Sequence, residues 1–335
     1  MNNGRTVLRS CVSIVLLALF LIAGCRTAEP ERPVDTLPIT LGVSKENLSA
    51  LAYVARDQGI FDANGLDVDF VEYSSSQLAY GALLDNEVDA ALCADTPIVI
   101  GALSGDVIEI IATVSSDTND IKVVARSDAG IEETRDLLGK RIGTREGTAA
   151  HFFLHSFLIK NGMSEADVDV RFDSFEGVTA ALIAGDLDAV ALRQPFISEL
   201  HERLGERFVL FEEHGLYGKT MNVCVRPDDD LSVEQKTRLI RAFVEAEDHV
   251  LSGDIEQTKN AVAESLGIAP ADLCNCMFVE GAVCLRQSLV LTLEDQARWA
   301  VDSGIVPDPL PFDSLAMLDP GPLDAVDADR VTILR

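Results

Sequence analysis

The stretch Ala184–Pro195, AGDLDAVALRQP, repeats the plan of Asp85–Pro97, DNEVDAALCADTP. Each is a turn followed by an apolar run that opens on Asp-Ala and stops at a proline. A shift of 99 residues places Val71 on Val170, Tyr73 on Phe172, Ala82 on Ala181, Leu83 on Leu182 and Asp89-Ala90 on Asp188-Ala189, with no gap. These positions fall on a strand, a helix and a strand in one register. The repeat constrains the chain to two similarly built halves.

Periodicity fills in the plan. PITLGV (38–43) alternates and is β-branched, so it reads as a strand. SKENLSALAYVARDQGIF follows as a helix that Gly59 stops. LDVDFVEY is a strand, SSSQLAYGALLDN a short helix with a serine cap, VDAALC a strand, TPIVIGALSGD a helix and VIEIIATV a strand. The pattern restarts at IKVVAR and runs through KRIGT, the helix GTAAHFFLHSFLIKNG, DVDVRF, EGVTAALIAG, LDAVAL, QPFISELHERLG and FVLFEE. Alternating strands and helices on short connections predict a mostly parallel sheet in each half. Beyond KTMNVCVRPDD, amphipathic helices dominate, the first capped by Ser232. The proline-rich end, from Val306, reads as an extended wrap, and Trp299 as a core residue.

The N-terminus stands apart. Arg5 and Arg9 precede an apolar stretch, Val12–Ala23, too short to span a bilayer but suited to a signal peptide. It ends in LIAGC, which resembles a bacterial lipobox and marks Cys25 as the lipidated first residue; an ordinary signal cleavage near Cys25 is the alternative. Residues 1–24 read as the signal peptide and 25–36 as a flexible tether. Removing two arginines with the signal takes the formal net charge from −28 to −30. Such a surface repels phosphate backbones, so no nucleic-acid partner is expected, and it repels anionic lipid, leaving the acyl chain as the membrane anchor.

Besides Cys11 and Cys25, the chain has Cys93, Cys224, Cys274, Cys276 and Cys284. An odd number leaves at least one thiol free or pairing between molecules. A disulfide from Cys284 to Cys274 or Cys276 is the favoured reading, with a soft-metal site at CNCMF and unpaired buried thiols as the others.

In order, the stretches YVARDQGIFDANGLDVDFVEY, ALLDNEVDAALCADTPIVIGAL, DLLGKRIGTREGT, ALIAGDLDAVALRQPF and QSLVLTLEDQARWAVDSGIV, with the closing VDADRVTIL, carry a resemblance. The chain resembles the substrate-binding lipoproteins of ABC importers of the nitrate/sulfonate/taurine/thiamine-precursor class. The resemblance implies an α/β, two-lobed type II periplasmic-binding-protein fold. Each lobe is then a mostly parallel sheet flanked by helices, with two inter-lobe crossings near 115–120 and 215–220. Lobe 1 would comprise 37–118 and 221–335, and lobe 2 119–220. It further implies an exported, lipid-anchored monomer that binds a small polar organic molecule or anion (sulfonate, nitrate, taurine or pyrimidine-like) in the inter-lobe cleft and delivers it to an ABC permease and its ATPase, with no cofactor, metal or catalysis.

Open α/β sheets place ligands at the carboxyl ends of strands. Residues after strands or at helix starts are therefore the candidates. On lobe 1 these are Ser44, Asn47, Ser74, Ser75, Ser76, Asp95 and Thr96. On lobe 2 they are Gly147, Thr148, Ala149, His151 and Gln194, with His214 and Tyr217 near the second crossing. Helix caps and a polar-face histidine are the alternative roles for several of them. Relatives often carry a carboxylate or aromatic where Gln194 stands, and a neutral amide cannot balance an ammonium. Glu176 and Asp95 could supply that charge. An enzyme on the same fold is the first rival, yet the chain has no Gly-x-Ser-x-Gly, Walker A or His-Glu-x-x-His motif. A ligand-sensing module for a membrane kinase is the second.

Overall fold

The computed structural model describes residues 36–227 and 231–334. Residues 1–35, which hold the segments read as signal peptide and tether and the lipidation candidate Cys25, lie outside the described residues. Two five-stranded mixed sheets organise the rest. The first contains β1 (Leu37–Ser44), β2 (Leu66–Tyr73), β3 (Ala90–Ala94), β4 (Glu109–Asp117) and β10 (Lys219–Val225) in the order β2-β1-β3-β10-β4. The second contains β5 (Ile121–Arg126), β6 (Arg141–Thr144), β7 (Asp169–Phe172), β8 (Ala189–Arg193) and β9 (Phe208–Phe211) in the order β7-β6-β8-β5-β9. In each sheet the three strands at one side are parallel, and the strand arriving from the other sheet, β10 or β5, runs antiparallel beside them. The chain passes from the first sheet to the second between Asp117 and Ile121, and returns between Phe211 and Lys219.

The helices are α1 (Ala50–Asp57), α2 (Ile60–Ala63), α3 (Ser76–Leu84), α4 (Asp95–Ser104), α5 (Ala149–Lys160), α6 (Phe175–Ala184) and α7 (Phe196–Leu204). After the return come α8 (Val233–Ser252), α9 (Ile255–Leu266), α10 (Gln287–Asp302) and α11 (Gly321–Asp327). Helix α8 packs on α1 and α11, and α10 packs on α4, so the C-terminal third clothes the first sheet. Sequence accounts for several boundaries. Ser75 Oγ accepts from Leu78 N to open α3, and Ser232 forms a capping box with Gln235 to open α8. Leu41, Leu51, Leu83 and Leu92 are fully buried, each contributing about 2 kcal/mol of transfer free energy.

The 99-residue repeat has a physical content. Asn86 and Gly185, equivalent under the shift, both take left-handed backbone conformations at the ends of α3 and α6, with φ of 58° and 89°. Asp89 accepts from Thr40 N at 2.7 Å while its own N–H donates to Thr40 O. Asp188 does the same for Arg141, with its carboxylate 2.9 Å from Arg141 N. In both sheets the aspartate of Asp-Ala clamps the first parallel strand to its neighbour.

Two expectations change. Cys274 is disulfide-bonded to Cys276, not to Cys284, which is a buried free thiol like Cys93 and Cys224. Cys284 is held elsewhere because its backbone pairs with Thr113 on the edge of β4, at 2.8 and 3.0 Å. The proline-rich end is also not wholly extended. Residues near Met317 and Asp319 bond to Ile110 on β4, after which Pro322 starts α11. A short parallel pair then joins β11 (Leu285–Arg286) to β12 (Val331–Thr332).

Candidate functional site

The parallel strands β1, β3, β6 and β8 all deliver their carboxyl ends to the gap between the two sheets. A cavity of about 20 Å³ lies there, with room for little more than a water-sized group. The first-sheet side supplies Glu46, Ser75, Ser76, Gln77, Ala94 and Pro97, and β10 supplies Lys219. The second-sheet side supplies Ile121, Arg145, Thr148 to Ala150, Phe175 and Arg193.

Charge dominates this cavity. Glu46, Arg193 and Lys219 are only 4%, 6% and 3% exposed. Lys219 Nζ lies 2.8 Å from both Glu46 Oε2 and Asp120 Oδ2. Arg193 Nε reaches the same Glu46 oxygen at 3.5 Å, and its guanidinium sits 5.4 Å above the Phe175 ring. The other Glu46 oxygen accepts from Ser76 N at 2.9 Å, at the start of α3. Burial opposes ionisation of Glu46, but the Arg193 and Lys219 charges and the bonds from Lys219 and Ser76 outweigh it, holding the carboxyl well below the usual range. Burial likewise opposes the charge on Lys219, and Asp120 and Glu46 overcome it to keep the ammonium raised. Lys219, Arg193, Glu46 and Asp120 therefore balance.

The second-sheet wall is less satisfied. Arg145 lines the cavity, and among the described residues its guanidinium has no hydrogen-bond or ion-pair partner. Thr148, the N-cap of α5, turns its hydroxyl back to Arg145 O at 2.7 Å and makes no side-chain cap bond. Ala149 and Ala150 in the first turn line the cavity, and no capping side chain takes the amides there. A free guanidinium beside uncapped amides of a three-turn helix is an arrangement suited to an anion.

Of the sequence candidates, Ser75, Ser76, Thr148 and Ala149 line this cavity. The others do not. Ser44 is buried with its hydroxyl 3.0 Å from Ser49 Oγ, and Ser74 is exposed. Asp95 accepts from Tyr217 Oη at 2.5 Å, Thr96 N at 2.9 Å and Thr220 N at 3.2 Å, so Asp95, Thr96 and Tyr217 form a buried knot behind the cleft. Burial raises the Asp95 carboxyl above its ordinary value. Asn47, Gln194 and His214 line a separate open recess of about 580 Å³ beside the linkers. There Asn47 Nδ2 donates to Asp272 O at 2.8 Å, and Gln194 Oε1 accepts from Ser198 N at 3.1 Å. Gly147 lines the adjoining groove with Gln77 and Ile100. His151 is buried between Phe172 and Trp299, with Nε2 3.2 Å from Glu165. Glu176 is exposed on α6.

Sequence reasoning missed Glu46, Gln77, Arg145, Phe175, Arg193 and Lys219. A visible signal existed for Arg193: it is the lone charge closing an otherwise apolar strand. Among the described residues, no group of histidine, cysteine and acidic side chains is placed to hold a metal, and no helix is long and apolar enough to cross a membrane.

The family described as NMT1/THI5 like matches residues 47–251. A protein of Brucella abortus (strain 2308) named for a suspected binding role is 25% identical over 244 residues, covering 71% of this chain and 75% of the relative. The formylaminopyrimidine-binding protein of Halalkalibacterium halodurans is 27% identical over 180 residues, covering 52% of this chain and 53% of its own. Among solved structures, the alkanesulfonate-binding protein of Xanthomonas axonopodis pv. citri, bound to MOPS, superposes with a TM-score of 0.70 at 18% identity, over 84% of this chain and 98% of the other. The fold is thus that of periplasmic binding proteins.

Proposed function

Because this chain belongs to the NMT1/THI5-like family, we propose that it is an extracytoplasmic solute receptor. It binds a small organic anion between its lobes and hands it to an ABC permease. The carrying observation is Arg145, unpartnered beside the uncapped amides of α5, in a cavity already holding two buried cations. The Ser75 and Ser76 hydroxyls and the Ala149 amide are the remaining donors for the ligand, since the Thr148 hydroxyl is turned to Arg145 O and the Ser76 N–H to Glu46. Closure occurs about the two linkers, with lobe boundaries near 118 and 220, and the function requires binding without turnover.

The charges narrow the ligand. Glu46 is engaged by Lys219, Arg193 and Ser76, Asp95 is buried, and Glu176 points to solvent. A substrate ammonium finds no free carboxylate here, so the ligand is a sulfonate- or carboxylate-type anion without an amine. The relatives' ligands, an alkanesulfonate and a pyrimidine, are larger than the cavity of about 20 Å³, so the ligand enters with the lobes parted about the linkers. A thermal-shift screen with methanesulfonate, ethanesulfonate, nitrate, taurine and a formylaminopyrimidine tests this, because a ligand bound only to the native state raises the Tm. Methanesulfonate and ethanesulfonate should stabilise, and taurine should not. Silence from every anion rejects the receptor.

Export and anchoring complete the proposal. The LIAGC motif assigns residues 1–24 to a signal peptide and Cys25 to lipidation, which holds a monomer at the outer face of the cell membrane. Cys25→Ser should release the protein into the soluble extract, and persistent membrane association would exclude the lipid.

A further inference from the structure

The cavity carries a carboxylate of its own. Glu46 sits at the start of α3, where its Oε1 takes the Ser76 N–H at 2.9 Å, and its Oε2 takes Lys219 at 2.8 Å and Arg193 at 3.5 Å. An anionic ligand entering a two-lobed cleft would seek those same three donors, Ser76 N and Lys219 from the first sheet and Arg193 from the second. They are already occupied by a residue the chain provides.

The consequence is a fixed charge count. Five charged groups bear on the cavity. Lys219 and Arg193 are cancelled by Glu46 and by Asp120, which stands 2.8 Å from Lys219 on the linker side. Arg145 alone is left without a counter-charge among the described residues. Glu146, its neighbour, lines the adjoining groove instead. The site thus offers one uncompensated positive charge on the half-buried Arg145, beside a buried ion cluster in which a further unbalanced charge is costly.

We infer that Glu46 is the specificity-determining residue of the site: by cancelling one of three cations, it restricts the ligand to a monoanion and rejects dianions of the same size. This rests on the receptor reading above and goes further, because it assigns the ligand's charge and names the residue that sets it. A monoanionic head docks on Arg145 and the α5 amides and leaves the cluster neutral. A dianion leaves one negative charge buried without a partner.

The experiment compares two probes of similar size and different charge, methanesulfonate and sulfate, by calorimetry at neutral pH. The natural protein should bind methanesulfonate and prefer it to sulfate. Glu46→Gln removes one negative charge without changing shape and should move the preference toward sulfate by about tenfold or more, as expected for a unit charge in a poorly screened site. Glu46→Gln with Lys219→Met restores the balance and should return the preference to methanesulfonate, whatever the absolute affinities. If the natural protein binds methanesulfonate but Glu46→Gln leaves the ratio unchanged, the inference is overturned while the receptor stands. A double variant that keeps the altered ratio also overturns it, because the effect then lies in contacts and not in charge. Should Glu46→Gln fail to fold, the balanced double variant decides alone: a preference for sulfate rejects the inference. Failure of the natural protein to bind any anion rejects the receptor itself.

Discussion

Tyr217 donates its phenolic hydrogen to Asp95 at 2.5 Å, tying the segment that returns from the second sheet to the start of α4 on the first. Gln296 on α10 donates to the same phenol at 3.2 Å, and Phe152 of α5 packs edge-on against its ring at 5.0 Å. One side chain therefore touches both sheets' helices and the linker between them. Tyr217→Phe leaves a buried carboxylate one donor short and should lower stability by about 1–3 kcal/mol. Urea unfolding measures it; an unchanged midpoint would mean the bond contributes nothing.

Arg145 gives the opposite separation of stability from binding. With no protein partner to lose, Arg145→Ala should leave the unfolding free energy within about 0.5 kcal/mol of the natural protein. Its affinity for methanesulfonate should nonetheless fall about tenfold or more, as for loss of a charge-assisted hydrogen bond. Intact affinity would move the anion away from the α5 start.

Acid should expose the Glu165 cluster. Glu165 lies 3.2 Å from His151 Nε2 and 3.1 Å from His155 Nδ1. Burial pushes its carboxyl up, but the two histidines pull it down further, to about 2 from an ordinary 4.5. A depressed carboxylate stabilises the fold above its unfolded value and loses that contribution as pH falls through the folded one. The loss should run from about pH 5 to about pH 2 and be on the order of 2 kcal/mol. Glu165→Gln should flatten the Tm profile across that window, and a profile of unchanged slope would remove Glu165 as its cause.

Salt should act in two directions. With 55 acidic against 27 basic residues, self-repulsion strains the folded chain. Shortening the Debye length from about 10 Å at ~0.1 M to about 3 Å at ~1 M NaCl should raise the Tm by about 5 °C or more. Anion affinity should weaken over the same range, since screening also weakens attraction to Arg145. A flat or falling Tm would show that the acidic surface is not a source of instability.

Much of the architecture was legible because it repeats. The Asp-Ala pairs, the turns at Asn86 and Gly185 and the serine and threonine helix starts all follow from local rules, and they locate the edge of each sheet that faces the gap. What could not be read was which side chain at that edge turns inward. At three places the cavity residue is a close sequence neighbour of one that pattern reasoning named: Glu46 beside Asn47, Arg193 beside Gln194, and Arg145 two before Gly147. Strand alternation sends neighbours to opposite faces, and the loop beyond the strand end breaks that count. The cysteine pairing was hidden for a related reason. Cys284 belongs to a strand-edge contact with Thr113, which no spacing between cysteines can reveal.

The ammonium of Lys219 has one more effect. It opens the returning strand, while its partner Asp120 ends the outgoing linker, and Gly215 N donates to Thr118 O at 3.2 Å alongside. Two strings lashed together at this knot cannot lengthen or slide independently. If the lobes close about this joint as proposed, they turn about one spine, and an optical label on each would report ligand as one distance.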